Sequence, residues 1–141
     1  MQAFILNAFE WCAGILGSVI VVYVSQVIND KYFEPKKEFS LIVRKAIYTL
    51  DYYANVISNP GDVKKELEVE ASSELRKVAM EFLTFSLYYP EFHCSDINND
   101  KIKQIGRTLT GLSNGLGIRD HADINAKERQ ALKEMLAGKC N

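Results

Sequence analysis

Proline is scarce in this sequence, three residues in 141, and glycine contributes only eight. With 48% hydrophobic residues, that scarcity excludes a disordered or low-complexity chain. Cysteine occurs three times, at Cys12, Cys94 and Cys140. The odd number and wide spacing argue against a disulfide framework and lead us to expect free thiols. Neither sign of charge dominates, since seventeen Lys and Arg meet eighteen Asp and Glu for a net charge of −1. The basic footprint of a protein that grips nucleic acid is missing, so direct nucleic-acid binding is not expected. No catalytic signature stands out either, and neither an enzyme activity nor a cofactor is expected. The length allows one ordinary domain, or a membrane segment followed by a small one.

Charge is also missing locally. Residues 1–29 hold a single charged side chain, Glu10, while the other seventeen acids and all seventeen bases begin at Asp30. From Trp11 to Ile28 the chain reads WCAGILGSVIVVYVSQVI without a charge. As a helix at about 1.5 Å per residue this run is about 27 Å long, close to the hydrocarbon thickness of about 30 Å. Extension back to Phe4 leaves room for tilt. A cleaved signal peptide would need a basic amino-terminal region and a small-x-small cleavage site, and the sequence offers neither. A buried helix of this length in a soluble protein usually keeps a charged face. The expectation is one transmembrane helix within residues 1–30, followed by a domain over residues 31–141.

The flanks set an orientation. No Lys or Arg precedes the run, whereas Lys31, Lys36, Lys37, Arg44 and Lys45 follow it closely. The positive-inside bias then places the carboxy-terminal domain in the cytoplasm, with the span in the inner (plasma) membrane. Free cysteines fit a reducing compartment. Trp11, Tyr32 and Phe33 stand where interfacial anchors are found.

At about 100° per residue, Asn7, Glu10, Gly14, Gly17, Ser18, Ser25 and Asn29 fall on one side of the helix, with Val21 among them. Large apolar residues such as Phe9, Leu16, Val19, Ile20 and Tyr23 take the other. Trp11 and Ile28 interrupt the polar stripe. Three readings follow. Asn7 and Glu10 sit at the outer interface of a solitary helix; or copies of the helix pack through the stripe; or the copies surround a wet lumen lined by Glu10, Ser18, Ser25 and Asn29. Small residues allow backbones to approach, and a Glu10 ring would favour cations.

Beyond Lys36 the apolar pattern has a helical period and little strand character. The first helix is predicted from about Lys37 to Ser58, ending at the breaker run Asn59-Pro60-Gly61-Asp62. The second begins between Asp62 and Ser73 and ends near Tyr89, ahead of Pro90. The third covers about Asn99 to Leu116, with a seam of Ile102, Ile105, Leu109, Leu112 and Leu116 and with Gly106 permitting close approach. The fourth is predicted to start at Asn125, with Glu128 completing a capping box, to bury Ala131, Leu132, Met135 and Leu136, and to stop at Gly138. The fold class is all-α: a membrane helix and a small antiparallel four-helix bundle.

Candidate chemistry in the domain is thin. His93, Cys94, His121 and Cys140 lack the paired spacing of a zinc site, so no metal is expected. The glycine run Gly111–Gly117 follows no strand and lies at a helix end, which suits a C-terminal turn better than a phosphate cradle. Arg119-Asp120-His121 reads as an exposed charged loop. Its spacing differs from the four to six residues that separate Arg and His in all-helical HEPN ribonucleases. Aromatics gather around the first two helices (Tyr48, Tyr52, Tyr53, Phe82, Phe85, Tyr88, Tyr89 and Phe92) and read as core and subunit-contact residues.

The segment Glu74-Leu-Arg-Lys-Val-Ala-Met-Glu-Phe-Leu, Tyr89-Pro90 and Leu109-Thr-Gly-Leu-Ser-Asn-Gly-Leu116 resembles a group of uncharacterised bacterial proteins. Those pair one amino-terminal span with a short helical cytoplasmic domain, and the likeness covers residues 74–116. More distantly, the layout is similar to the membrane accessory protein of type VI-B CRISPR systems, a family associated with a pore of one-span subunits with HEPN-like domains. That resemblance implies a phage-defence effector or accessory; the missing Arg/His signature separates this chain from RNA cleavage. The sequence thus leads to a homo-oligomeric membrane protein, with a pore as its sharper form and with membrane lipid and its own copies as partners. The alternative is a membrane-tethered module whose bundle binds a partner protein in the cytoplasm.

Overall fold

The computed structural model describes residues 2–94 and 96–137, with side chains from residue 14 onward. The chain divides into two units, Met1–Pro35 and Lys36–Asn141.

In the first unit, α1 runs from Gln2 to Ile28 and a π turn follows over Asn29–Phe33. The Glu34 N–H donates to the Asn29 carbonyl and closes that turn. Pro35 supplies the reason: it has no N–H, and its ring crowds the carbonyl four residues back, which a locally widened turn relieves. Among the described residues no helix is long and apolar enough to cross a membrane. The side chains of Asn7, Glu10, Trp11 and the rest of the span's amino-terminal part lie outside the described residues.

Among the described residues, the regular structure of the second unit is helical apart from a two-residue antiparallel ladder, which is too short to leave an alternating pattern in the sequence. Its elements are α2 (Glu34–Tyr52, begun just before the boundary), α3 (Ala54–Ser58), α4 (Lys65–Tyr88), β1 (His93–Cys94), β2 (Ile97–Asn98), α5 (Asn99–Gly115) and α6 (Ala122–Leu136). In the ladder His93 stands opposite Asn98 and Cys94 opposite Ile97.

The core grows from helical periodicity. Phe39, Ile42, Val43, Ala46 and Leu50 of α2 are buried against Leu75, Val78, Phe82 and Phe85 of α4 and Ile102, Ile105, Leu109 and Leu112 of α5. Phe39 lies 5.4 Å from Phe85 and 5.1 Å from Phe92 between ring centroids, and Phe85 meets Phe92 edge-on at 5.0 Å. Such tilted and edge-on pairs add about 0.5–1.5 kcal/mol each beyond the area they bury. α4 and α5 run antiparallel, since Ser72 meets Ser113 while Ala79 meets Gly106. A Cβ on Gly106 would stand 2.9 Å from Leu83 Cγ and 3.1 Å from the Ala79 carbonyl oxygen, so the backbones approach where only glycine fits.

Two boundaries differ from the sequence expectation, the end of the first helix and the start of α6, while the start of α4 falls within the expected range. The first helix breaks at Tyr53 instead of running on to Ser58, because the Leu50 carbonyl is captured by Arg129 of α6, whose Nε donates to it at 2.8 Å. The Tyr53 ring is buried there, and its hydroxyl donates to Glu70 Oε1 at 2.8 Å. Burial, then that carboxylate, raises the phenol to about 12. α4 begins at Lys65, so the charge-rich stretch is a solvated helical turn. α6 begins at Ala122, not Asn125, and the expected capping box does not form. Asn125 is instead 2% exposed inside the helix and donates from Nδ2 to the Gly115 carbonyl at 3.3 Å. Leu132 and Leu136 are buried as expected, whereas Met135 is half-buried and Ala131 faces solvent.

Turns follow their residues more closely. Asn59-Pro60-Gly61-Asp62 closes with Asp62 N–H donating to the Asn59 carbonyl at 3.3 Å. Proline second and glycine third, with Gly61 at φ +79°, make a type II turn. The turn is tied across the bundle by Arg119, which pairs with Asp62 at 3.0 Å and donates to the Gly61 carbonyl.

Candidate functional site

Two surfaces stand out, one in each unit. The first is the outside of α1. Every described residue from Gly14 to Ile28 is exposed, and ten large apolar side chains between Ile15 and Ile28 are 43–69% accessible. At 100° steps these side chains point in nearly every direction around the axis. The remaining sector holds Gly14, Ser18, Ser25 and Asn29, with Val21 and Val22 at its edges. A Cβ on Gly14 or Gly17 would meet nothing within 4 Å. Ser18 donates its hydroxyl to the Gly14 carbonyl at 2.8 Å, so the helix's own backbone satisfies this polar group. Asn29 lies in the π turn, its Nδ2 3.4 Å from Asp30 Oδ1. Asn7 and Glu10 cannot be added to this geometry, since their side chains lie outside the described residues.

The second surface is a groove of about 920 Å³ between α4 and the end of α5. Arg76 stands within it. Its Nε donates to Ser113 Oγ at 3.2 Å and its Nη2 to Asn114 Oδ1 at 2.9 Å. Ser113 in turn donates to the Thr110 carbonyl, and Ser72 donates to the Ser113 carbonyl. This network of neutral acceptors orients the guanidinium without neutralising it. Its place at the carboxy-terminal end of α5 also suits the negative end of the helix dipole. The sequence expectation did not include this site, although Ser72 and Arg76, one turn apart on α4, were the available signal.

The other candidates resolve into structure. The glycine run ends α5, with Gly117 at φ +85° turning the chain. A Cβ on Gly115 would fall 2.7 Å from Asn125 Oδ1, so this glycine makes room for the buried amide. Among the described residues no group of three or more His, Cys, Asp or Glu is placed to hold a metal ion. Phe82, Phe85 and Tyr53 are core residues, while Tyr48, Tyr52 and Tyr88 remain exposed.

Cys94 corrects the expectation of free thiols, because it is disulfide-bonded. The free-thiol argument for a reducing compartment therefore no longer applies, and the Lys/Arg asymmetry is the orientation signal that is left. Compared with protein-family models, curated proteins and solved structures, this chain matches none of them.

Proposed function

We propose that the protein is a non-enzymatic, homo-oligomeric protein of the inner membrane, held by one helix within residues 1–30. Copies of that helix pack through the face of Gly14, Ser18, Ser25 and Asn29, with Gly17 on its flank beyond Val21 and with Asn7 and Glu10 continuing it on the sequence pattern. One observation carries the reading: the apolar exposure of α1 in nearly every direction. Each Val, Leu or Ile left in water forgoes about 1.5–3 kcal/mol of burial, and a helix apolar all round is either buried or in lipid. The internally satisfied Ser18 hydroxyl supports close helix packing, because the stripe can meet another helix without an unpaired donor.

The five basic residues after the span support a cytoplasmic Lys36–Asn141 unit. The Cys94 disulfide adds nothing to that, since free thiols no longer speak for a reducing compartment. Protease protection of sealed vesicles tests the orientation. For the main reading, the test is carbonate extraction of membranes followed by cross-linking in mild detergent. Retention in the membrane with discrete multimers is expected; a protein released by carbonate, or one that stays monomeric, overturns the reading. Pore formation is its sharper form, and planar-bilayer recording tests that directly.

A further inference from the structure

We infer that the α4–α5 groove is a docking site for an acidic, extended peptide segment of a partner protein, with Arg76 gripping a carboxylate. The inference stands on the Lys36–Asn141 unit alone and does not depend on how α1 is used.

Charge pairing within the groove selects the ligand. Glu68 accepts from the Gly61 N–H, Glu81 is paired with Lys45 of α2, and Lys77 is paired with Glu74 at 2.6 Å. Two lining cations, Arg76 and Lys65, have no carboxylate partner among the described residues. Glu68 keeps its negative charge, because the Gly61 N–H it accepts from is neutral, so the lining cations Lys65, Arg76 and Lys77 exceed the acids Glu68 and Glu81 by one although the chain as a whole is nearly neutral.

Arg76 is also pre-oriented. Its bonds to Ser113 and Asn114 use two of the five guanidinium N–H donors and leave three for a ligand. A planar fork held in place suits a carboxylate and loses little freedom on binding. The apolar lining includes Val69, 63% exposed, and Met80, 59% exposed. A small inorganic anion would leave that surface uncovered, whereas a peptide covers it.

Spacing sets the pattern of the peptide. Lys65 and Arg76 stand eleven positions apart on α4, about 16 Å of helix. Two carboxylates four residues apart in an extended chain span about 13 Å, and the flexible lysine stem closes the difference. The expected segment therefore has two acids at that spacing with apolar residues between them.

The test is fluorescence anisotropy with the full-length protein in detergent micelles. The probe is a labelled eight-residue peptide bearing two glutamates four positions apart and Leu and Val between them. Its control carries lysine in place of both glutamates. Saturable binding of the acidic peptide only is expected, weakened about tenfold or more by Arg76→Gln. Val69→Glu, which leaves the Ser113–Asn114 network intact, should weaken binding similarly, and Lys37→Gln on α2 should not change it. Absence of saturable binding overturns the inference, as does equal binding by Val69→Glu and the unsubstituted protein. Displacement of the peptide by an equal concentration of inorganic phosphate overturns it too, since a free anion would then suffice.

Discussion

Arg129 of α6 donates from Nε to the carbonyl of Leu50, seventy-nine residues earlier, and that bond marks where α2 ends. The same guanidinium reaches Asp51 Oδ1 at 3.0 Å, and Lys133 reaches the same oxygen at 2.7 Å. Two cations of α6 thus clamp the end of α2.

Replacing Arg129 with Ala should destabilise the Lys36–Asn141 unit by about 1–3 kcal/mol, because a hydrogen bond from a charged donor to a half-buried carbonyl is lost. Lysine at this position should recover only part, since it lacks the fork that serves Leu50 and Asp51 together. Denaturant unfolding followed by circular dichroism measures both.

The clamp predicts an acid response. The Lys133 hydrogen bond lowers the Asp51 carboxyl most; burial opposes it, and the Arg129 hydrogen bond with the two nearby positive charges keeps the net shift downward. A carboxyl lowered in the folded state contributes stability above its unfolded pKa of about 3.9 and loses it as pH falls through the folded value. The α2–α6 contact should therefore loosen below about pH 4, and Asp51→Asn should remove that pH dependence. Hydrogen exchange of α6 amides reads the change.

Tyr53 predicts the opposite limb. Its phenol, raised to about 12 by burial and by Glu70, stays protonated in the folded chain after unfolded tyrosine, near 10, has ionised. Stability from this group is complete below about pH 10 and falls between about 10 and 12. Tyr53→Phe should flatten this alkaline decline and be less stable by about 1 kcal/mol at neutral pH. Thermal melts across that range test it.

Gly106→Val should force α4 and α5 apart. The Ala79 carbonyl oxygen, 3.1 Å from where a Cβ would stand, belongs to the backbone and cannot rotate away as Leu83 can. Overpacking of this kind costs about 1–3 kcal/mol. Adding Leu83→Ala should relieve only part of the loss, and paired melting curves separate the contributions.

On α1, Gly14→Leu should disturb cross-linked assembly if copies pack through the stripe, because it fills the open space beside Ser18. Glu10→Ala should alter conductance if the copies enclose a lumen. Unchanged assembly and conductance would leave α1 as a tether. Exchanging Lys31, Lys36 and Lys37 for Glu should weaken the orientation bias, read by protease protection.

Much of the fold was legible because its signals are local. The breaker run at Asn59–Asp62, the stop at Pro90 and the seam of α5 rest on residues within a turn or two of one another. Asn125 misled because an Asn followed three positions later by Glu carries the pattern of a helix start. Here the pocket beside Gly115 offered the amide a buried partner. The polar stripe of α1 was legible as a pattern, whereas the Arg76 groove was not. Its partners are thirty-seven and thirty-eight residues away, beyond any periodicity.

By itself the sequence determined that the chain is helical, where its glycine and proline turns fall, and that one uncharged apolar run stands apart from a charged remainder. Backbone propensity and the 3.6-residue period act over neighbouring residues, so these properties need no long-range contact. Only the tertiary structure decided where α2 stops, what Asn125 does and which cations remain uncompensated. Each of those depends on which distant side chain reaches a carbonyl or carboxylate first, and packing settles that competition.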